Sequence, residues 1–147
     1  MWNEQVERSN RNTAAEQRAI DTEWGQYLSE MDWTHFVTFT FRLPTRLAAA
    51  KRAFGQWVER VEGLFQRRMD IYVGYHQGAD FDSVHVHALV FIKAARVTKH
   101  LERAWGFGHC EVRRYNSQRG AAYYVTQRTR KTLIDYDLLG ERFENGV

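Results

Sequence analysis

The chain has 147 residues, 44% hydrophobic and 14% aromatic, which is enough to bury a core without cross-links and too aromatic for a disordered chain. Its net charge of +3 is a weak hint of an acidic partner, and its single cysteine, Cys110, excludes an intrachain disulfide and a four-thiol metal site. No apolar run approaches the roughly 20 residues of a membrane helix, and the polar start MWNEQVERSN does not read as a signal peptide, so a cytoplasmic protein is expected.

In chain order, residues 1–31 read as a helical extension, with Ile20, Trp24, Tyr27, Leu28 and Met31 at helical spacing. The stretch WTHFVTFTF (33–41) is β-branched and aromatic and predicts a strand, with Trp33, Val37, Phe39 and Phe41 on one face and Thr34, Thr38 and Thr40 on the other. Pro44 and Thr45 mark a helix start. Leu47, Phe54, Trp57, Val58, Val61, Leu64 and Phe65 then give an amphipathic helix over about 46–68. IYVGYHQ (71–77) and VHVHALVFI (84–92) predict two strands joined as a hairpin through GADFDS. A short helix over 98–105 with Thr98 as its cap, a strand HCEVRRY (109–115) and a helix over 117–131 follow. Residues 132–147 read as a tail holding a short packing element. One domain spanning 1–147 is expected, of the α+β class, with an antiparallel or mixed central sheet and helices packed on it in a ferredoxin-like arrangement.

The chemistry concentrates at His85 and His87. Residues i and i+2 of a strand share a face, so the two imidazoles project together from a rigid element. That makes a metal half-site, or equally two polar residues on an exposed sheet face. His76, on the neighbouring strand of the hairpin, is the candidate third ligand, with Gln77 its competitor; a His76 facing the other way would leave the site needing a different third ligand. On the helix over 117–131, Tyr124, Gln127, Arg128 and Lys131 follow i, i+3, i+4, i+7 and share a stripe. Between Lys93 and Lys131 ten Lys or Arg stand against two acids, and between Arg42 and Arg68 seven stand against two. These zones look like a polyanion footprint, or a solvated helix face.

HFVTFTF (35–41), HVH (85–87) and GAAYYVTQRTRK (120–131), in that order, resemble the three motifs of the HUH superfamily of single-strand DNA endonucleases, and within it the rolling-circle replication initiators. YVGYHQG (72–78) resembles the strand in which such proteins carry a third metal ligand. The match runs from about 33 to 131. The resemblance implies an HUH endonuclease domain without a helicase domain, which nicks and joins single-stranded DNA through a 5′-phosphotyrosine. It implies Mg²⁺ or Mn²⁺ on His76, His85 and His87, Tyr124 as nucleophile, and Lys131 as the second lysine of the third motif. Gln127 stands where the typical initiator has lysine. A glutamine there resembles the single-tyrosine transposases of the superfamily, and on that alignment Tyr123 is the nucleophile.

Arg113, Arg114, Arg119, Arg128 and Arg130 would then track the DNA backbone, with Tyr115 and Trp105 stacking bases. The substrate would be an origin hairpin or extruded strand, unwound by a partner helicase, since no GxxxxGK[ST] loop is present. The protein is expected to act as a monomer or weak dimer away from membranes. The alternatives are a transposase-like strand transferase, a non-catalytic nucleic-acid binder on the same fold, and a nuclease using its histidines as acid and base.

Overall fold

The computed structural model describes residues 25–78, 83–116, 118 and 132–144. Five strands form one open antiparallel sheet: β1 (His35–Phe39), β2 (Asp70–Gln77), β3 (Val84–Phe91), β4 (Cys110–Arg114) and β5 (Leu133–Leu139), in the order β4-β1-β3-β2-β5. Two helices connect them, α1 (Leu47–Phe65) between β1 and β2 and α2 (Thr98–Arg103) between β3 and β4. A single turn, α3 (Glu141–Glu144), follows β5. The class is α+β, as expected. None of the helices among the described residues is long and apolar enough to cross a membrane.

Strand alternation sorts the side chains into two layers. Val84, Val86, Ala88 and Val90 of β3 are buried and face the helices with Val37, Phe39, Ile71, Val73, Tyr75, Cys110 and Val112. Against them α1 lays Ala50, Ala53, Phe54, Trp57 and Val61, and α2 adds Leu101. The helical period of 3.6 puts these α1 positions on one stripe, so a single sheet face takes the whole apolar side of the helix. Leu64, expected on that stripe, is 57% exposed near the last turn. The helix ends at Gln66 in the left-handed region (φ 53°), with its N–H on the Glu62 carbonyl.

Some boundaries differ from the expectation for local reasons. Thr45 does not cap α1; its hydroxyl donates to the Leu43 carbonyl, its carbonyl receives Val84 N–H, and the helix begins after extended Arg46. Thr98 is the first helical residue rather than the cap, which falls on Val97. Trp33 lies ahead of β1, and His35 takes the helix-side position expected of it. Its indole N–H donates to the Leu28 carbonyl at 2.6 Å, which pins residues 28 and 33 together in a second cluster on the opposite sheet face with Tyr72 and Leu89. Residues 132–139 are not a tail: β5 pairs with all but the ends of β2, with a register shift between Tyr75 and His76. Lys51 of α1 reaches across to Asp135 and to Asp137, at 3.9 Å, and ties the new edge strand to the helix layer.

One glycine is fixed by packing. A Cβ on Gly108 would overlap the Thr40 carbonyl oxygen and stand 2.9 Å from Arg42 N, because the chain entering β4 runs hard against the end of β1. The overlap is with backbone, which has no rotamer to yield. Gly108→Ala is therefore expected to lower unfolding free energy by about 1–3 kcal/mol, read from the midpoint of urea denaturation at unchanged slope.

Candidate functional site on the sheet face away from α1 and α2

The face away from α1 and α2 carries the histidines. Register makes this unambiguous: His76 is the Cα partner of His85, Gly74 of His87, and His87 of Thr38. Partners across an antiparallel pair share a side, so His76, His85, His87 and Thr38 project together. The His-x-His spacing acts through a middle strand, flanked by β1 and β2, which holds the rings on rigid backbone.

His76 and His87 meet: their ring centres are 5.0 Å apart and inclined at 68°. Two imidazoles sharing a cation at about 2.1 Å from each nitrogen have ring centres about 5 Å apart, so the spacing of this pair is compatible with one shared ion as well as with an edge-on ring contact. The ring of His76 lies over Gly74, where a Cβ would stand 3.0 Å from Nε2 and 3.3 Å from Leu133 Cδ1. Glycine at 74 leaves the room in which the two histidines approach. Phe36 lies parallel to His87 at 6.0 Å (3° between planes) and supports its ring. Thr38 Oγ1 is 3.3 Å from His87 Nδ1, and Thr132 Oγ1 is 3.2 Å from His76 Nδ1.

The electrostatics keep His87 neutral. Burial, with the neighbouring His76 and His85 adding to it, lowers its pKa from 6.5 to about 4. A neutral imidazole is the form that binds metal.

His85 departs from the expected set. Its ring sits toward Gly78, where a Cβ would be 2.9 Å from His85 Nε2. Among the described residues no three of His, Cys, Asp and Glu are grouped to hold an ion. The three-imidazole grip expected of His76, His85 and His87 is thus present here as a two-imidazole pair with His85 beside it. The physical reason is position along the strands: Gly74 lets His76 fold toward the His87 row, whereas His85 stands one row further along, at the loop end of the hairpin.

The expected DNA contacts divide. Arg113 shares the histidine face, through its partner Phe36, but is ion-paired to Glu111 at 2.6 Å. Arg114 corrects the expectation: it is the partner of His35, on the other side of the sheet, where burial and then its charge lower the His35 pKa. Tyr115 packs against the second apolar cluster, with its hydroxyl buried and without a hydrogen-bond partner among the described residues. Trp105 is 5% exposed, sits against Phe39 and Phe41, and donates its N–H to the Thr40 carbonyl at 3.0 Å. The Trp105 ring is thus taken up by packing, and that of Tyr115 is partly buried. Tyr123, Tyr124, Gln127, Lys131, Arg119, Arg128 and Arg130 lie outside the described residues.

The structure also adds residues that sequence reading passed over. Thr132 and Tyr136 come to this face because β5 joins β2. Tyr136 is the partner of Gly74, is 48% exposed, and stacks on buried Tyr72 at 6.0 Å. The only sequence signal was the alternation of LIDYDLL, in which acids alternate with apolar residues.

Comparison with protein-family models, with curated proteins and with solved structures gives no match to this chain.

Proposed function

We propose that the sheet face away from α1 and α2 is the phosphate-handling site of a single-stranded DNA nicking and joining enzyme of the HUH type. The observation that carries this is the convergence of His76 and His87, from adjoining strands, beside His85 on one face of the sheet. The run β1-α1-β2-β3-α2-β4 with sheet order β4-β1-β3-β2 supports reading these elements as a ferredoxin-like split βαβ unit, extended by β5. The ordered motifs at 35–41, 85–87 and 120–131 support the choice of chemistry.

His76 and His87 would hold a divalent ion, with His85 next to them as a further donor. Imidazole nitrogens favour Mn²⁺ over Mg²⁺, which prefers oxygen. When bound, the ion would supply Lewis-acid polarisation of a phosphate oxygen. The chain's own groups do the rest. The Tyr124 phenol attacks phosphorus, the Oη–P bond forms, the P–O3′ bond breaks, and the 3′ oxygen takes up a proton as the phenol loses one. A phenol near pKa 10 needs a cation close by to act at neutral pH, the role assigned to Lys131. The phosphotyrosine conserves a phosphodiester bond, so a second 3′-hydroxyl reverses the step and joins strands. Tyr136, braced by Tyr72, offers an exposed aromatic surface to a base flanking the phosphate. A cytoplasmic setting and an unwinding partner complete the reading.

The test is a short labelled single-stranded DNA incubated with the protein and Mn²⁺ and run on a denaturing gel. A protein-linked band that vanishes on chelation, in His87→Ala and in Tyr124→Phe is the expected result. Loss in Tyr123→Phe instead moves the nucleophile by one residue. DNA binding without linkage, indifferent to chelator, replaces this reading with a non-catalytic binder, which the two-imidazole arrangement also fits.

A further inference from the structure

The Thr-rich strand at the start of the fold has a task that the reading above leaves unused. Thr38 lies on the histidine face of β1, and Thr34 and Thr40 flank the strand. Thr34 and Thr40 donate their hydroxyls to main-chain carbonyls, those of Val90 at 3.0 Å and His109 at 3.2 Å. Thr34 Oγ1 also lies 2.8 Å from Nδ1 of its neighbour His35. Thr38 places its hydroxyl against Nδ1 of His87, its register partner on the next strand. Thr132, from an unrelated part of the chain, does the same to Nδ1 of His76. Two threonines brought by different strand pairings therefore meet the same ring atom of the two histidines that approach each other.

We infer that Thr38 and Thr132 are positioning residues, whose hydroxyl oxygens accept the Nδ1–H of His87 and His76 and so leave the lone pair of both rings on Nε2. This rests on the reading of the face as an ion-holding site. A neutral imidazole carries one N–H, and a partner at one ring nitrogen decides where it sits. For His76 the geometry gives the direction as well: Nδ1 is toward Thr132, while Nε2 lies over Gly74, the residue paired with His87. The Nε2 edge of His76 thus reaches along its own strand to the row that Gly74 shares with His87. Phe36 and Gly74 set where the rings lie, and the threonines set which nitrogen of each presents its lone pair. An outer hydroxyl or carbonyl on the second nitrogen is the arrangement that orients ligating histidines in metal sites generally.

The experiment is long-range ¹H–¹⁵N NMR of the metal-free protein, joined to calorimetric titration with Co²⁺, on wild type, Thr38→Val and Thr38→Ser. Valine keeps the β-branched shape and removes the hydroxyl; serine restores it. In wild type both His76 and His87 are expected as the Nδ1–H tautomer. Thr38→Val should mix the tautomers of His87 alone and weaken Co²⁺ about 10- to 100-fold, and Thr38→Ser should recover both. Thr132→Val should do to His76 what Thr38→Val does to His87. An Nε2–H tautomer in wild type overturns the inference, as does a Thr38→Val protein with unchanged tautomer and affinity, or a wild type that does not bind Co²⁺. Wild-type tautomers as expected with no DNA linkage would count against the nicking reading alone. Linkage with no dependence of the tautomer on Thr38 would count against this inference alone.

Discussion

Trp57→Ala is expected to cost about 3–5 kcal/mol, a large share of the 5–15 kcal/mol that holds a domain of this size together. The indole is fully buried at the middle of α1. It meets Phe39 edge-on at 4.8 Å and stacks on Phe54 at 5.5 Å, so it fills the space between helix and central strand. Its N–H donates to the Leu101 carbonyl at 2.9 Å and so links α1 to α2 as well. Alanine removes the ring, leaves a cavity lined by close-packed aromatic rings, and strips that carbonyl of its indole donor. Trp57→Phe separates the contributions, since it keeps most of the volume and loses the hydrogen bond; about 1–3 kcal/mol is expected from a carbonyl left with only the weak Cys110 thiol donor at 3.9 Å. Urea denaturation of the three proteins reads both. A loss under about 1 kcal/mol for alanine would mean that the helix layer is not what holds the sheet.

The second large effect is a dependence of stability on pH that comes from His87. Its pKa is near 6.5 in the unfolded chain and about 4 when folded, first because it is buried and then because His76 and His85 lie beside it. Between these values the unfolded state binds the extra proton, so protons favour unfolding. The contribution is fully present above about pH 6.5 and is lost progressively as pH falls toward 4. At 1.36 kcal/mol per unit the whole shift is worth on the order of 3 kcal/mol. His35, lowered by burial and by Arg114, adds in the same direction. The carboxylates of Asp135 and Glu144, held low by Lys51 and Arg68, act in the same direction, and their loss begins at ordinary carboxylate values, at the acid end of this window. Unfolding free energy should rise steeply from pH 4 to 6.5 and then level. His87→Gln should flatten most of that rise. A wild-type curve that is flat across this interval, or that falls with rising pH, would contradict a buried neutral His87.

The same two residues show why some of the molecule is readable from its sequence. Trp57 belongs to a helix whose apolar positions recur every three or four residues, so its burial follows from local periodicity. His87 belongs to a strand in which Val84, Val86, Ala88 and Val90 alternate with His85 and His87, so its face follows from the two-residue repeat. The hairpin joining β2 to β3 was equally legible, because its partners are neighbours in the chain. Which residues meet across more distant strands was not. The arginine and aromatic assignments show this: Arg113 and Arg114 are adjacent in sequence and lie on opposite faces, only Arg113 on that of the histidines, and the rings of Tyr115 and Trp105 pack against residues from distant segments.

Composition and spacing by themselves determined the α+β class, the amphipathic α1, the β2–β3 hairpin and the sharing of one face by His85 and His87, because each depends on contacts within a few residues along the chain. Tertiary structure alone decided that 133–139 becomes an edge strand, that Thr38 and Thr132 reach the two imidazoles, and that His76 rather than His85 closes on His87. Those outcomes turn on strand order, on a register shift at Tyr75 and on the missing side chain at Gly74, and each of these acts only once segments far apart in the chain are brought together.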